Sequence, residues 1–230
     1  MRSHAEQLAL VRGWDDTRAT LRRWQRRPFA AVGPWALASL GVAALLLTAT
    51  WVVALLSVPD PTVFGVAGHG TWDDFGFIVY RNSLVLALHA MACVAGFMAG
   101  SSLPVAATGY SGWWRRVHDR AGRLAMGFVA AATLFSLTTQ AYALGSRAAG
   151  LADAHGVSTG LLMLSILPHA IPELCALFLP LAAWLLAARR KAWDELLAAT
   201  FVTVAIAVPV VLAAAAVEVW VSPHVLYFLK

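Results

Sequence analysis

Charged residues are scarce in this sequence of 230 residues. They make up 13% of the chain, while hydrophobic residues make up 60%. Soluble domains average about 25% charged residues and about 45–50% hydrophobic residues. So few charges cannot cover a water-facing surface, which excludes an ordinary cytosolic enzyme, a disordered chain and a basic nucleic-acid-binding domain. The composition predicts an integral membrane protein.

Cysteine is nearly absent as well. Cys93 and Cys175 both lie in apolar stretches, and they supply neither a disulfide framework nor a CxxC metal signature. The zinc-binding HExxH pattern is missing, and neither terminus carries a lipidation motif. The first apolar run, residues 29–58, is too long for the apolar region of a cleaved signal peptide. We therefore expect no cofactor, no bound metal and no lipid anchor.

Long uncharged stretches are plentiful by contrast. A bilayer core of about 30 Å takes about 20 apolar helical residues to cross. Five stretches are long enough, at residues 29–58, 83–107, 124–146, 156–188 and 196–223. They predict an all-α fold, a polytopic integral membrane bundle of five transmembrane helices.

The fourth stretch is longer than a single crossing requires. Its 33 residues would extend about 50 Å as one helix, and Pro168 and Pro172 lie inside it. Because proline disrupts a helix interior, we predict a short re-entrant or interfacial segment at residues 157–167. A true span would then begin near His169.

Basic residues are distributed unevenly along the chain. Of the 17 lysines and arginines, seven lie before the first stretch, four in the 108–123 connection and three in the 189–195 connection. The other three are Arg81, Arg147 and Lys230. The positive-inside rule then predicts a cytoplasmic N-terminus and an outside C-terminus. We expect a multi-pass protein of the bacterial cytoplasmic (inner) membrane, with the lipid bilayer as its first partner.

Three segments follow from this topology. Residues 1–28 form a cytoplasmic basic amphipathic segment, residues 29–223 the transmembrane helical domain, and residues 224–230 a short extracytoplasmic tail. The first segment is either a solvated flank or a helix lying on the inner leaflet.

Ionisable residues rarely enter the uncharged stretches. Glu173 and Glu218 are the only acids there, and a buried acid in a membrane costs several kcal/mol unless it is paired or protonated. His169 lies one helical turn before Glu173, and Asn82 opens the second span. Counting 1.5 Å per residue from the basic ends places these side chains in the outer third of the bilayer. With Pro172, they form a predicted intramembrane polar cluster.

Each of these residues also has an ordinary structural interpretation. Glu218 could lie among lipid headgroups, His169 could bond the backbone that Pro172 leaves unpaired, and Asn82 could join two helices. Gly96 and Gly100 form a GxxxG pattern, which predicts close helix packing. No metal site is predicted from these residues.

Three stretches resemble the stage II sporulation protein M family. LPHAIPELCALFL, residues 167–179, is similar to the family's proline-histidine-glycine…glutamate motif, with Ala170 where the family usually has glycine. AAAAVEVWVSP, residues 213–223, is similar to its closing alanine-rich helix, with a late glutamate and a small residue before proline. RNSLVLALHAMACVAGFMAG, which contains Asn82, is similar to its asparagine-led helix with spaced glycines.

This resemblance implies about five spans and a role without catalysis. The protein would organise or dock cell-envelope partners, among them proteins related to peptidoglycan. We expect other membrane or envelope proteins as partners and no nucleic acid, and the sequence leaves a homo-oligomer open.

Two other classes of function stay open. A transporter, permease-like or lipid-handling subunit would use a polar site near the outer leaflet, in a cavity lined by Asn82, Glu173 and Glu218. An intramembrane enzyme or metal site is disfavoured, because a nucleophile and a second histidine are missing beside His169. We expect the protein not to be an enzyme.

Overall fold

The computed structural model describes residues 9–62, 70–102 and 111–229. Inside its helices, the side chains of residues 9–12, 101–102 and 114–126 lie outside the description. Three sequence-based interpretations therefore fall partly outside the described residues. They concern the start of the basic amphipathic segment at residues 1–8, the four arginine side chains between 115 and 123, and Lys230.

The described residues contain seven α-helices and no strand. The helices are α1 Ala9–Gln25, α2 Pro28–Leu56, α3 Trp72–Phe97, α4 Gly112–Ala154, α5 Thr159–Arg190, α6 Leu196–Trp220 and α7 Ser222–Leu229. A π-helical turn, Met98–Ser102, continues α3, and a 3₁₀ turn, Trp193–Glu195, precedes α6.

Helices α2 to α6 confirm the prediction of five spans. Each contains a stretch that is long and apolar enough to cross a membrane, so the chain is a multi-pass membrane protein. The helices start earlier than hydropathy alone suggested: α3 begins at Trp72 and α4 at Gly112. Much of the predicted 108–123 connection is therefore helical.

The separate segment predicted at residues 157–167 is wrong. Helix α5 runs without interruption from Thr159 to Arg190 and contains Pro168, Pro172 and Pro180. A proline removes one hydrogen bond, while the other bonds of each turn remain, and transmembrane helices tolerate this loss because neighbouring groups satisfy the freed carbonyls. Treating Pro168 as a stop applied a rule of soluble helices to a membrane helix.

Gly156 is the residue that separates α4 from α5. Its φ of +64° is a conformation that side-chain-bearing residues rarely adopt. The amide of Val157 donates to the carbonyl of Ala152 at 2.9 Å, and the amide of Gly156 donates to that of Asp153 at 2.9 Å. These two bonds close the end of α4 in the manner of a Schellman motif.

The chain divides into two compact units. The first unit comprises Met1–Ser39, Leu86–Ala131 and Phe178–Ala207, and the second comprises Leu40–Val85, Ala132–Leu177 and Val208–Lys230. The core of the first unit centres on one tryptophan and small aliphatic residues, namely Trp35, Leu179, Ala182, Ala183 and Ala199. The core of the second contains Ala54, Ala148, Ala152 and Leu162.

Helix α1 packs within the first unit. The ring of Trp24 lies 5.0 Å from that of Trp35, and the ring of Trp14 lies 6.1 Å from that of Phe201, both edge to face. Arg23 also forms an ion pair with Glu195. Helix α1 thus has protein contacts within its unit, and its placement as a solvated flank or as a helix on the inner leaflet stays a prediction.

Small residues allow close packing in both units. A Cβ on Gly96 would lie 2.7 Å from Nε1 of Trp184, and one on Gly100 would lie 2.2 Å from the ring of Trp193. In the second unit, a Cβ on Gly145 would lie 2.7 Å from the carbonyl oxygen of Thr50. Contacts below 3.0 Å leave no room for a larger residue at these positions.

Candidate functional site

The second unit contains all five residues of the predicted polar cluster. Asn82 lies on α3, Glu218 on α6, and His169, Pro172 and Glu173 lie on α5. The spacing of four between His169 and Glu173 places both side chains on one face of α5. Three helices therefore contribute to the cluster.

Asn82 and Glu173 are joined directly. Nδ2 of Asn82 donates a 2.9 Å hydrogen bond to Oε1 of Glu173, across 91 positions of sequence. Both residues are partly buried. This bond connects α3 to α5 and gives the Glu173 carboxyl a fixed partner.

His169 pairs with a hydroxyl on a different helix. Its Nδ1 lies 2.6 Å from Oγ of Ser222, the first residue of α7, and both side chains are buried. Oγ of Ser222 also donates to the carbonyl of Val217 at 3.3 Å. The single hydroxyl proton of Ser222 can serve either the Val217 carbonyl or Nδ1 of His169, so the tautomer of the histidine decides which atom donates in this contact.

Glu218 makes no direct polar contact with any other residue in the described part of the chain. Arg81 acts on both Glu218 and Glu173 electrostatically. However, its guanidinium lies over the ring of Phe77, 5.7 Å from the ring centre, and forms no ion pair with described residues. Glu218 is thus a partly buried acid without a close partner.

A cavity of about 520 Å³ opens beside Glu218 and His169. Its walls are mostly apolar and include Ile78, Leu162 and Ile166. This volume is within the range of about 300–1,000 Å³ that small-molecule sites occupy. Of the three residues predicted to line a cavity, Glu218 lines this one. Asn82 and Glu173 are not among its lining residues and are bonded to each other.

The start of α3 closes one side of the cavity. The backbone amide and hydroxyl of Thr71 both donate to Oδ2 of Asp74, at 2.9 and 2.7 Å, and the Asp74 amide donates back to the hydroxyl at 3.1 Å. This reciprocal arrangement is a capping box. It fixes the residues around Gly70 and Asp74, which both line the cavity.

Aromatic rings hold this cap against α6. The indole of Trp220 lies 4.8 Å from that of Trp72 and 5.4 Å from the ring of Phe75. Its Nε1 donates to the carbonyl of Gly70 at 3.2 Å. A Cβ on Gly70 would lie 2.3 Å from the carbonyl oxygen of Val219, so only glycine fits there.

The predicted glycine pair lies elsewhere. Gly96 and Gly100 belong to the first unit, where they pack against Trp184 and Trp193. They adjoin indole side chains, whereas a GxxxG pattern usually indicates backbone approach between helices. His89 is buried in the same unit, with its ring 5.5 Å from that of Phe178.

Sequence reasoning missed the partner of His169. Ser222 was visible only as the small residue before Pro223 in the closing motif, and nothing in the pattern indicated a hydrogen bond across 53 positions. No sequence pattern indicated that Gly70 and Ser165 also line the cavity. In the described part of the chain, no group of three or more histidine, cysteine, aspartate or glutamate residues is placed to hold a metal ion.

Comparison with known proteins gives one match. The model of the stage II sporulation protein M family matches residues 121–223, while no curated protein and no solved structure matches the chain significantly. The matched residues include both motifs of α5 and α6, with His169, Glu173 and Glu218, whereas Asn82 lies before them. The resemblance to the stage II sporulation protein M family is thereby confirmed over residues 121–223 of this multi-pass membrane protein.

Proposed function

We propose that this protein is a non-enzymatic component of the cytoplasmic membrane that docks or organises other envelope proteins. The family resemblance supports this role and suggests peptidoglycan-related partners. The protein would act through its membrane helices, which form most of the described chain.

The observation that carries the proposal is the exposed face of α4. Only 6% of the most apolar stretch of its span is buried, against 28–56% for the other four spans. Large side chains such as Phe128, Phe135 and Tyr142 are more than two thirds exposed. A helix with so few contacts in its own chain has a surface available to a neighbour.

Polar side chains on α4 favour a protein neighbour over lipid. Thr138 and Thr139 are exposed and bond their hydroxyls back to Leu134 and Phe135, one turn earlier. Gln140 uses its Nε2 on Ser136 at 2.9 Å. This leaves its amide oxygen free among the described residues, and a carboxamide in a membrane is stabilised by a partner across the helix interface.

Site-specific photocrosslinking tests the proposal. A photoreactive residue at Gln140, introduced in the native host, should give a discrete adduct with another membrane or envelope protein. The matched control is Leu84 on α3, which is exposed and carries no amide, whereas Gln140 is half-buried. Adducts of equal yield at both positions, or none at Gln140, would contradict docking through α4.

The cavity favours a second candidate, a subunit that handles a small amphiphilic molecule. Its apolar walls and few polar groups are typical of ligand sites, and it lies in a membrane bundle. This candidate predicts that filling the cavity impairs the protein in cells, whereas the docking proposal predicts that altering Gln140 does.

A further inference from the structure

We infer that the cavity beside Glu218 and His169 binds a primary ammonium group carried on an apolar chain. This inference rests on the second candidate, because it names the ligand of that cavity. It does not depend on docking through α4, since Gln140 is not among the cavity residues.

The first argument is the unpaired carboxylate. Glu218 lines the cavity and has neither a hydrogen-bond donor nor an ion-pairing cation within bonding distance in the described part of the chain. The residue is half-buried, and neither of its oxygens is among the fully enclosed atoms without a hydrogen-bond partner in the described part of the chain. An acid in a membrane bundle gains most from a cation that enters beside it.

The second argument is the orientation of His169. The side chain is 8% exposed and lines the same cavity. Its Nδ1 is used on Ser222, and Nε2 makes no hydrogen bond within the described residues. In the tautomer that carries its proton on Nδ1, Nε2 is an acceptor. That tautomer gives the cavity acceptors on two lining residues, Glu218 and His169.

Asp74 and Ser165, two other polar residues that line the cavity, add no positive charge to it. Asp74 brings a second carboxylate whose Oδ2 is satisfied by Thr71, and Ser165 bonds the carbonyl of Leu162 in its own helix at 2.7 Å. No lysine or arginine lines the cavity among the described residues. A carboxylate or phosphate ligand would therefore meet carboxylates, and Arg81, which acts on Glu218 electrostatically, is not among the lining residues.

The apolar walls of the cavity determine the part of the ligand that carries no charge. Ile78, Leu162, Ile166 and Leu226 supply apolar walls, which suit an alkyl chain better than a second charge. An ammonium group has three N–H donors and no acceptor, which matches one carboxylate and one imidazole nitrogen. A quaternary ammonium carries the same charge but offers no donor.

Binding of octylamine to the full-length protein in phosphatidylcholine nanodiscs tests the inference. Near neutral pH, wild type should bind octylamine with saturation, and octyltrimethylammonium and octanol should each bind about tenfold more weakly or worse. Binding of octanol measures the contribution of the alkyl chain alone. Binding of octyltrimethylammonium measures the contribution of a positive charge that has no N–H donor. Equal binding of all three compounds would overturn the inference.

Two variants and one control locate the site. Glu218→Gln keeps the shape and removes the charge, and it should weaken octylamine binding about tenfold while leaving octanol binding unchanged. Ser165→Leu adds volume at a lining residue whose hydroxyl bonds only within its own helix, and it should weaken both. Glu195→Gln removes a carboxylate that is not among the lining residues and should have no effect.

Unchanged octylamine binding in both Glu218→Gln and Ser165→Leu would place the amine in the surrounding lipid and overturn the inference. If Glu218→Gln does not fold, binding to Ser165→Leu alone decides between the cavity and the lipid. Crosslinking at Gln140 is a separate readout, so failure of ligand binding and failure of partner docking are distinguishable.

Discussion

Asn82 and Glu173, on different helices, are bonded side chain to side chain at 2.9 Å. Without this bond, a carboxyl group within a membrane helix would lack its neutral donor. The pair therefore joins α3 to α5, and neither of its residues is among those that line the cavity beside Glu218.

A double-mutant cycle measures the strength of this pair. Asn82→Ala and Glu173→Ala should each destabilise the protein, and the double variant should lose less than the sum. Hydrogen bonds between membrane helices average about 0.6 kcal/mol, with a maximum of about 1.7 kcal/mol, and the coupling energy should fall in that range. Reversible unfolding in mild detergent provides the measurement, and a coupling energy of zero would contradict the bond.

Ser222→Ala should loosen α7. The substitution removes the hydroxyl that His169 contacts and that also bonds Val217, so the first turn of α7 loses its attachment to α5. Hydrogen exchange should accelerate in Ser222–Leu229 and stay unchanged in α2. Ser57→Ala is the matched control, because Ser57 directly follows α2 and donates to the carbonyl of Val53 at 2.8 Å, with only a 3.5 Å contact to the hydroxyl of Ser146. Faster exchange in α7 of both variants would show that the contact with His169 is not responsible.

Gly145→Ala should lower the free energy of unfolding by about 1–3 kcal/mol, the usual cost of overpacking. The added carbon would lie 2.6 Å from Cβ of Val53 and 2.7 Å from the carbonyl oxygen of Thr50. Gly41→Ala is the control on α2, where nothing lies within 4 Å of the added carbon. It should stabilise the protein by about 0.5–1 kcal/mol because alanine favours a helix. We expect the two substitutions to change the free energy of unfolding in opposite directions. Equal changes would argue against close packing of α2 and α4.

Thr50→Val should stabilise the protein by up to about 1 kcal/mol. Oγ1 of Thr50 is buried and makes no hydrogen bond to described residues, and removing an unsatisfied hydroxyl at constant shape removes a cost. Thr203→Val is the opposite case, because that buried hydroxyl donates to the carbonyl of Ala199 at 2.7 Å. It should cost about 0.5–1.5 kcal/mol. Thermal unfolding of the two variants side by side provides the measurement, and destabilisation by Thr50→Val would mean that the hydroxyl has a partner.

Cysteine labelling tests the orientation of the chain. In a variant carrying Cys93→Ser and Cys175→Ala, the substitutions Arg189→Cys and Tyr227→Cys report on a predicted cytoplasmic and a predicted outer position. A membrane-impermeant maleimide applied to intact cells should label position 227, which is 76% exposed in the native protein, and leave position 189 unlabelled until lysis. The reverse pattern would place the N-terminus outside.

Hydropathy made the number of spans predictable, because each span must satisfy its backbone inside the bilayer and be apolar over a fixed length. Depth along the helices singled out Glu173 and Glu218, because acids in a membrane are rare enough to be noticed one by one, and their role as one site stays a prediction. Its internal pairing was not predictable. Asn82 and His169 each had several neighbours at the same depth, and only the rotation of the helices decides that they bond Glu173 and Ser222.

Close packing was the least visible feature in the sequence. Gly145 and Gly70 belong to no recognisable pattern, yet each approaches another backbone more closely than any larger residue would allow. The GxxxG pair did attract notice, but Gly96 and Gly100 adjoin tryptophan side chains. A glycine motif indicates a position on a helix surface where another group can approach closely. The tertiary fold decides whether that group is a backbone or a side chain.

The packing of α1 restricts the order in which the protein is assembled. Arg23 is synthesised 172 positions before Glu195, and Trp14 long before its neighbour Phe201. During translation, the contact of Trp24 with Trp35 becomes available as soon as α2 is made, whereas the contacts of α1 with Glu195 and Phe201 form only as the last span is made. Until then the nascent α1 has no packing partner in α6, and its late docking marks completion of the bundle.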